Sequence, residues 1–240
     1  KSFSAFITNK IVEYKFQYNT QCFPLYWYAA AAQGNLFGEN MERREGVSDW
    51  IMRNAQCAMG NDKITKEDIF YYVYGFLHVP SYREKFSAEL KKSLPRIILD
   101  AENFWTLSRA GRDLAEIHLN YETQPAPAQV KVIGGGDYRV KKMRLSSDKT
   151  TLIYNEHITI KNIPPRVFEY VVNGRSPVEW IIERYQIKTD KASGIVNDPN
   201  AWATEHDAPR YILDLLLSAM TVSLKTFDIV ENLPSVDFDA

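Results

Sequence analysis

The chain of 240 residues has few cysteines, no long apolar run and no excess of either charge. Its two cysteines, Cys22 and Cys57, are too few for a disulfide scaffold and too far apart for a zinc knuckle. No apolar run reaches the roughly 20 residues that a transmembrane helix needs, and the start of the chain lacks a signal-peptide core. These absences predict a reduced, cytoplasmic setting without a membrane partner.

Catalytic motifs are also absent or incomplete. An adenine methyltransferase grips its flipped base with an Asn/Asp-Pro-Pro-aromatic loop, but Pro164–Pro165 is followed by Arg166 and reads as a helix start. A phosphate-binding loop needs Lys-Ser/Thr after its glycines, which Gly134–Gly136 lacks, so this run predicts a hairpin turn with positive φ. The four histidines are widely separated. We therefore expect no catalytic residue, metal or cofactor in this chain.

The net charge of −1 is low for an autonomous DNA-binding domain, but the charges are segregated along the sequence. Residues 83–96 contain five basic and two acidic side chains, and residues 131–149 contain six basic and two acidic ones. Residues 226–240 contain four acidic side chains and no basic one. A charge run on a helix is usually a solvated face, so these segments alone do not establish a nucleic-acid partner.

Three consecutive helical patterns predict the core of the first half of the chain. In residues 65–79, apolar side chains recur at the i, i+3, i+4 and i+7 spacing of one buried helical face. Thr65 and Asp68 predict a cap at the start, because each side chain can accept a hydrogen bond from the other's backbone.

The second and third patterns depend on two prolines and a glycine. Residues 80–94 run from Pro80 to the residue before Pro95, and Leu94 is the last apolar position of the predicted seam. In the third pattern, Gly111 lies on the apolar stripe. Its missing side chain lets another element approach closely.

Shorter elements are predicted before this core. Residues 3–8 and 22–28 are short and aromatic-rich, which is typical of strands. Residues 33–47 form a predicted polar loop with several glycines. A helix is expected over residues 48–59, with Trp50 facing inward.

The second half of the chain begins after a Pro/Ala connector, residues 122–128. Alternating apolar residues over 129–161 predict a small antiparallel meander, which includes a basic strand at Arg139–Arg144.

The last part of the chain alternates between helical patterns and a loop. Residues 187–200 form a predicted polar loop, and residues 209–233 form a predicted terminal helix. The predicted fold class is α+β, predominantly helical with a small antiparallel β-meander. We expect one domain overall, with a mixed strand and helix lobe at 1–121 and a second lobe at 129–240.

Seven stretches spread over most of the chain carry a family resemblance. They are Cys22–Tyr28, Asp68–His78, Pro80–Phe86, Leu94–Ile97, Gly111–Leu119, Val178–Gln186 and Lys191–Pro199. In this order they resemble the C-terminal region of type ISP restriction-modification enzymes. The resemblance implies that this chain is the last part of a longer polypeptide, after a nuclease, a helicase-like ATPase motor and an adenine-N6 methyltransferase.

The resemblance also implies what the chain does. It would recognise a short asymmetric sequence in double-stranded DNA and present it to the upstream methyltransferase domain, without catalytic residues of its own. S-adenosylmethionine, ATP and Mg²⁺ would be bound only by the other domains, and the setting would be the bacterial or archaeal cytoplasm. The helicase-like and methyltransferase domains would be its protein partners.

Arg and Lys are the side chains that contact phosphates and read guanine in duplex DNA. We therefore predict that DNA is contacted by basic residues from the polar loops and the basic segments. These are Arg43, Arg44, Arg83, Lys91, Lys92, Arg139, Lys141, Lys142, Lys188 and Lys191.

Two other functions remain open at this point. The chain could be a structural coupler between methyltransferase and motor, in which case its exposed face would be apolar and aromatic rather than basic. It could also be a metal nuclease, for which carboxylates and a lysine must gather around a metal ion. The candidates for that site are Glu183, Lys188, Asp190 and Asp198.

Overall fold

A computed structural model describes residues 3–12, 21–30, 41–236 and 238. The chain divides into two compact units. The N-terminal unit comprises Ala5–Ala115 and Asn232–Ala240, and the C-terminal unit comprises Lys1–Ser4 and Glu116–Glu231.

The predicted connector, residues 122–128, does not coincide with the division between the units, which lies between Ala115 and Glu116. The connector is part of the C-terminal unit because it is bonded to the terminal helix. The Gln124 N–H donates to Ser218 Oγ at 2.8 Å, and Ser218 Oγ donates to the Tyr121 carbonyl at 2.6 Å.

The N-terminal unit contains a β-hairpin and a set of helices. Its elements are β1 (Tyr26–Ala30), β2 (Met41–Glu45), α1 (Asp49–Met59), α2 (Lys66–Phe76), α3 (Pro80–Lys85), a 3₁₀ turn (Glu89–Lys91) and α4 (Phe104–Leu119). Strands β1 and β2 are antiparallel, with Trp27 opposite Arg44. Helix α4 ends in residues that belong to the C-terminal unit.

Two glycines let α2 and α4 pack with their backbones in contact. A Cβ on Gly111 would lie 1.8 Å from the Tyr71 carbonyl oxygen, and one on Gly75 would lie 2.2 Å from the Leu107 carbonyl oxygen. Beside this contact, the Tyr72 ring stacks on Phe104 with centroids 4.9 Å apart. The predicted close approach at Gly111 is therefore confirmed, and its partner is α2.

The predicted strands and loop before α1 are partly wrong. Residues 3–8 belong to no strand of the described sheets. The strand predicted at 22–28 is shifted to β1, and Met41–Glu45, predicted as loop, forms β2. The five residues of β2 are all exposed, so they lack the apolar alternation that marks a strand in sequence. Residues 33–40 lie outside the described part of the chain.

Two side chains predicted to be buried are exposed. The helix predicted over 80–94 is α3 followed by the 3₁₀ turn, which ends at Lys91. Leu94 lies beyond the last helical residue and is 50% exposed. Trp50 is 68% exposed, because the buried face of the short helix α1 contains Ala55 instead.

The predicted cap of α2 is confirmed. The Thr65 N–H donates to Asp68 Oδ2 at 2.9 Å, and the Asp68 N–H donates to Thr65 Oγ1 at 3.2 Å. The other Asp68 oxygen accepts from Arg112 Nη2 on α4 at 2.8 Å, although the Asp68 side chain is only 14% exposed. Burial alone would raise the pKa of this carboxyl, but the hydrogen bonds from Thr65 and the charge of Arg112 hold its pKa below the usual range.

The substitution Asp68→Asn should therefore destabilise the protein in a pH-dependent way. At pH 7 we expect a loss of about 1–2 kcal/mol, because the variant replaces a charged cap and pair with a neutral amide. A carboxyl with a lowered folded-state pKa stabilises the fold above its unfolded pKa, and this contribution disappears as the pH falls through the folded pKa. The difference in unfolding free energy between wild type and variant, measured with urea, should shrink from about pH 5 towards pH 2. A difference that stays constant over this range would contradict the assignment.

The C-terminal unit packs a small sheet and a short helix against a long terminal helix. Its elements are β3 (Lys131–Gly134), β4 (Arg144–Leu145), β5 (Leu152–Ile153), β6 (Ile158–Lys161), a 3₁₀ turn (Pro165–Phe168), α5 (Pro177–Arg184), β7 (Lys188–Thr189), β8 (Val196–Asn197), α6 (Asn200–Glu205) and α7 (Tyr211–Glu231). The larger sheet is antiparallel with the order β3-β6-β5-β4, so β3 and β4 form its opposite edges. Leu152, Tyr154 and Ile160 share one core with Leu216 and Met220 of α7.

This arrangement confirms the α+β class, the antiparallel meander and the terminal helix. The basic strand predicted at Arg139–Arg144 is wrong, since only Arg144 of that run lies in a strand. Gly134 and Gly136 have the expected positive φ, but β3 pairs with β6 rather than with the next strand. None of the described helices combines the length and apolarity required to cross a bilayer.

Candidate nucleic-acid interface

A run of basic residues at 139–144, here called the basic segment, lies on the surface of the C-terminal unit. Arg139, Lys141, Lys142 and Arg144 are exposed, whereas Val140 and Met143 are 0% and 3% exposed. The two apolar side chains belong to the core and fix the backbone between them. The basic side chains are consequently held in solvent on a segment that is attached at two points.

Asn200, which is 3% exposed, holds the middle of the basic segment. Its Oδ1 accepts from the Val140 N–H at 2.8 Å, and its Nδ2 donates to the Val140 carbonyl at 2.9 Å. The Asn200 amide also donates to Asp198 Oδ1 at 2.6 Å. One buried amide thus satisfies both backbone groups of Val140, which would otherwise need a neighbouring strand.

Strands β7 and β8 form a two-stranded hairpin, residues 188–197, here called the ribbon. All ten residues of the ribbon are exposed, so neither face is covered by any described part of the chain. Its root adjoins the basic segment, since the Ile187 N–H donates to the Lys141 carbonyl at 3.0 Å. Arg139 Nη2 also donates to Asp198 Oδ2, just after the ribbon, at 2.8 Å.

The tip of the ribbon is closed by Asp190. Its Oδ1 accepts from the backbone N–H groups of Ser193 at 2.8 Å and Ala192 at 3.1 Å, and from Ser193 Oγ at 2.8 Å. These hydrogen bonds favour the ionised form and lower the pKa of Asp190. Gly194 completes the turn with φ of +72°. The tip is therefore organised by its own side chains.

Several cations around the ribbon have no partner in the part of the chain that the structure describes. Lys142, Arg144, Lys188 and Lys191 make no side-chain hydrogen bond or ion pair with any described residue. Lys141 lies 3.6 Å from Glu156, but both side chains are about 80% exposed, so this pair is weak. The charge of this surface is thus available to an anion.

The structure places five of the ten predicted DNA-contacting residues in each unit. Arg139, Lys141, Lys142, Lys188 and Lys191 are brought together by the basic segment and the ribbon. The five of the N-terminal unit lie on different elements. Their contact with DNA stays a prediction in both units.

Three of the arginines in the N-terminal unit have contacts of their own. Arg43 lies 4.4 Å from the centre of the Tyr26 ring, and Arg44 pairs with Glu42 at 3.0 Å on exposed β2. Arg83 is half-buried, and its Nε donates to the carbonyl oxygen of Leu77, the C-cap of α2, at 2.6 Å. Lys91 and Lys92 are exposed at the 3₁₀ turn.

Sequence reasoning missed the ribbon, which it treated as loop, and the role of Asn200. The signal for the ribbon was present, because Thr189 and Val196 are β-branched and flank a turn that contains Gly194. Arg144 was also missing from the predicted contacts, although it is exposed beside Lys142.

The carboxylates proposed for a nuclease site are bonded to other groups. Asp190 closes the ribbon tip, Asp198 binds Arg139 and Asn200, and Glu183 forms a close pair with Arg175. Burial alone would raise the pKa of Asp198, but its bonds to Asn200 and Arg139 hold that pKa low. Within the described ranges, no group of three or more His, Cys, Asp or Glu side chains could hold a metal ion.

Comparison with known families settles where this chain belongs. The family model of the Type ISP C-terminal specificity domain matches residues 1–215. This chain is a Type ISP C-terminal specificity domain. The resemblance carried by the seven sequence stretches is thereby confirmed. A comparison with curated proteins gives no match.

Solved structures contain domains similar to this specificity domain. The ATP-dependent Type ISP restriction-modification enzyme LlaBIII bound to DNA is 42% identical over 88% of this chain, with a TM-score of 0.77. A nuclease-deletion mutant of the Type ISP restriction-modification enzyme LlaGI, in complex with a DNA substrate mimic, is 52% identical over 72% of this chain, with a TM-score of 0.66. The DrdV–DNA complex is 26% identical over 97%, with a TM-score of 0.79. The specificity domain spans only 14%, 14% and 23% of those three chains.

Proposed function

We propose that this specificity domain recognises a short sequence in double-stranded DNA, and that its C-terminal unit contacts the duplex through the basic segment and the ribbon. The observation that carries the proposal is a set of exposed cations on that surface without an ion-pair partner among the described residues: Lys142, Arg144, Lys188 and Lys191. Cations that the fold leaves without partners can neutralise phosphates without breaking an internal ion pair.

The acidic residues near this surface do not oppose the proposal. Asp198 is paired with Arg139, and Asp190 is bonded within the ribbon tip. The charges of these two carboxylates are partly compensated at short range. The charges of Lys142, Arg144, Lys188 and Lys191 are not compensated by any described residue. The local excess of positive charge would therefore attract a polyanion even though the whole chain has a net charge of −1.

We further propose that the chain works as the last part of a longer restriction-modification polypeptide. The small share of each solved relative that it matches supports this, since those chains are several times longer. In that polypeptide the domain would present its target to an adenine-N6 methyltransferase domain. S-adenosylmethionine, ATP and Mg²⁺ would be bound by the methyltransferase, motor and nuclease domains.

Salt dependence tests the electrostatic part of the proposal. With three to five phosphate contacts, the logarithm of the duplex association constant should fall against the logarithm of salt concentration with a slope of about −3 to −5. This slope is measured by fluorescence anisotropy of a labelled duplex titrated with the chain, at salt concentrations from about 50 to about 200 mM. Absence of binding at the low-salt end would contradict the proposal.

One observation favours a second function, that of a structural coupler. Four large apolar side chains of the N-terminal unit are 59–68% exposed: Phe23, Tyr28, Met41 and Trp50. Aromatic residues and Met are enriched at protein interfaces. In this case the domain would bind the neighbouring methyltransferase or motor domain rather than DNA, and anisotropy with a duplex would show no binding.

A further inference from the structure

The ribbon has the shape and exposure of an element that enters a DNA groove. We infer that it lies in the major groove and reads base edges, while the basic segment contacts the phosphates beside the groove. This inference rests on the proposed function and adds to it the element that determines specificity.

The dimensions favour the major groove. The major groove of B-DNA is about 12 Å wide and admits a two-stranded β-ribbon, whereas the undeformed minor groove is only about 6 Å wide. Every residue from 188 to 197 is exposed, so no described part of the chain blocks either face of the ribbon. A two-stranded hairpin gains little stability from burial of its own side chains. Packing of the fold therefore gives no reason for this hairpin to protrude.

The side chains along the ribbon are of the types that read bases. Lys188 is directly opposite Asn197, and Thr189 is directly opposite Val196. Side chains alternate between the faces of a strand, so Lys188 and Asn197 share one face while Thr189 and Val196 share the other. In the major groove, Lys can donate to guanine O6 and N7, Asn can pair with adenine N6 and N7, and an apolar side chain can contact the thymine methyl group.

The exposed apolar residues of the ribbon support this partner. Val196 and Ile195 are 58% and 68% exposed, although buried residues of the same unit precede and follow the ribbon in the sequence. A protein partner could also cover them. Lys188 and Lys191 on the same ten residues, and Lys142 near the root, have no ion-pair partner in the described ranges and favour a polyanion instead.

Side-chain hydrogen bonds fix the ribbon at both its tip and its root, as discrimination between bases requires. Asp190 closes its tip, and at its root Asp198 is bonded to both Arg139 and Asn200. Asn200 joins this root to Val140, in the middle of the basic segment. Phosphate contacts made by the basic segment would therefore set the position of the ribbon in the groove.

The test begins with the site that the chain selects from random duplex DNA. Wild type is compared with the ribbon variant Asn197→Ala/Val196→Ala and with the phosphate-contact variant Lys142→Ala, in selections run side by side. We expect the ribbon variant to lose its preference at one or two positions, by about 5- to 100-fold at each, and to keep its binding to unrelated duplexes. Lys142→Ala should weaken binding to all sequences by a similar factor and leave the preferences unchanged.

Modified bases test which groove is read. Replacing guanine by 7-deazaguanine, or thymine by uracil, changes only groups in the major groove. At one or more positions of the selected site, these replacements should weaken binding of wild type and have less effect on the ribbon variant. Circular dichroism verifies that the variant is folded, and the exposed Lys188→Ala provides an independent second variant.

Two outcomes overturn the inference, and they can be told apart. If the ribbon variants select the same site with the same preferences as wild type, the ribbon is not the reader, and the proposed function is unaffected. If wild type selects no site, the proposed function fails and the inference fails with it.

Discussion

The double charge reversal Lys141→Glu/Lys142→Glu is expected to weaken binding to duplex DNA by about 100-fold, or about 2.7 kcal/mol. Both lysines are exposed on the basic segment, whose backbone is held by Val140 and Met143, so the reversal changes the charge without removing an anchor. Each reversal removes an attraction to phosphate and adds a repulsion. The slope of the logarithm of the association constant against the logarithm of salt concentration should become shallower by about 2, because two phosphate contacts are lost.

The matched control reverses two lysines at the other edge of the same sheet. Lys131 and Lys161 are directly opposite each other on β3 and β6, whereas the basic segment leads into β4. The variant Lys131→Glu/Lys161→Glu replaces a pair of positive charges by a pair of negative ones. It changes the net charge by the same amount as Lys141→Glu/Lys142→Glu. We expect a loss of less than about 5-fold, due to long-range repulsion alone. Equal losses in the two variants would show that binding depends on total charge and not on the basic segment.

The substitution Gly111→Ala is expected to destabilise the protein by about 3 kcal/mol. A Cβ at this position would lie 1.8 Å from the Tyr71 carbonyl oxygen and 2.9 Å from the Gly75 nitrogen, and both are backbone atoms that cannot rotate away. Helices α2 and α4 would have to separate, which loosens the stack of Tyr72 on Phe104. The helix propensity of Ala recovers only about 1 kcal/mol. The free energy of unfolding in urea measures the net effect.

A second glycine provides the control for this substitution. Gly135 has open space around it and lacks a positive φ, so Gly135→Ala should change the stability by less than about 0.5 kcal/mol. Gly75→Ala should resemble Gly111→Ala, since its Cβ would lie 2.2 Å from the Leu107 carbonyl oxygen. If Gly111→Ala is as stable as the wild type, α2 and α4 are not in backbone contact.

Local signals predicted the helices well because their causes are local. The cap formed by Thr65 and Asp68 depends on residues within one turn. The glycine on the apolar stripe of α4 predicted a close approach correctly, although only the structure identifies α2 as the partner.

The prediction failed where a distant residue decides the local conformation. Arg139–Arg144 alternates like a strand, yet Val140 is bonded to the side chain of Asn200, sixty positions later, in place of a neighbouring strand. Residues 188–197 look polar and loop-like because a ribbon without a buried face shows no core periodicity. Strand β2 was missed for the same reason.

The candidate site was only partly visible in the sequence. Basic residues can be counted in a sequence, but whether they are free to bind DNA phosphates depends on their partners in the fold. Arg83 bonds the end of α2 and Arg139 bonds Asp198, whereas Lys142 and Lys188 have no described partner. The sequence also could not show that the root of the ribbon adjoins the basic segment, because that depends on the bond from Ile187 to Lys141.

Selection from a random duplex library by the purified chain, at low and at near-physiological salt, shows whether this domain recognises a DNA sequence. We expect enrichment of one short asymmetric sequence at both salt concentrations, with weaker overall binding at the higher one. Binding at low salt without any enriched sequence would contradict the claim that this specificity domain reads DNA by itself.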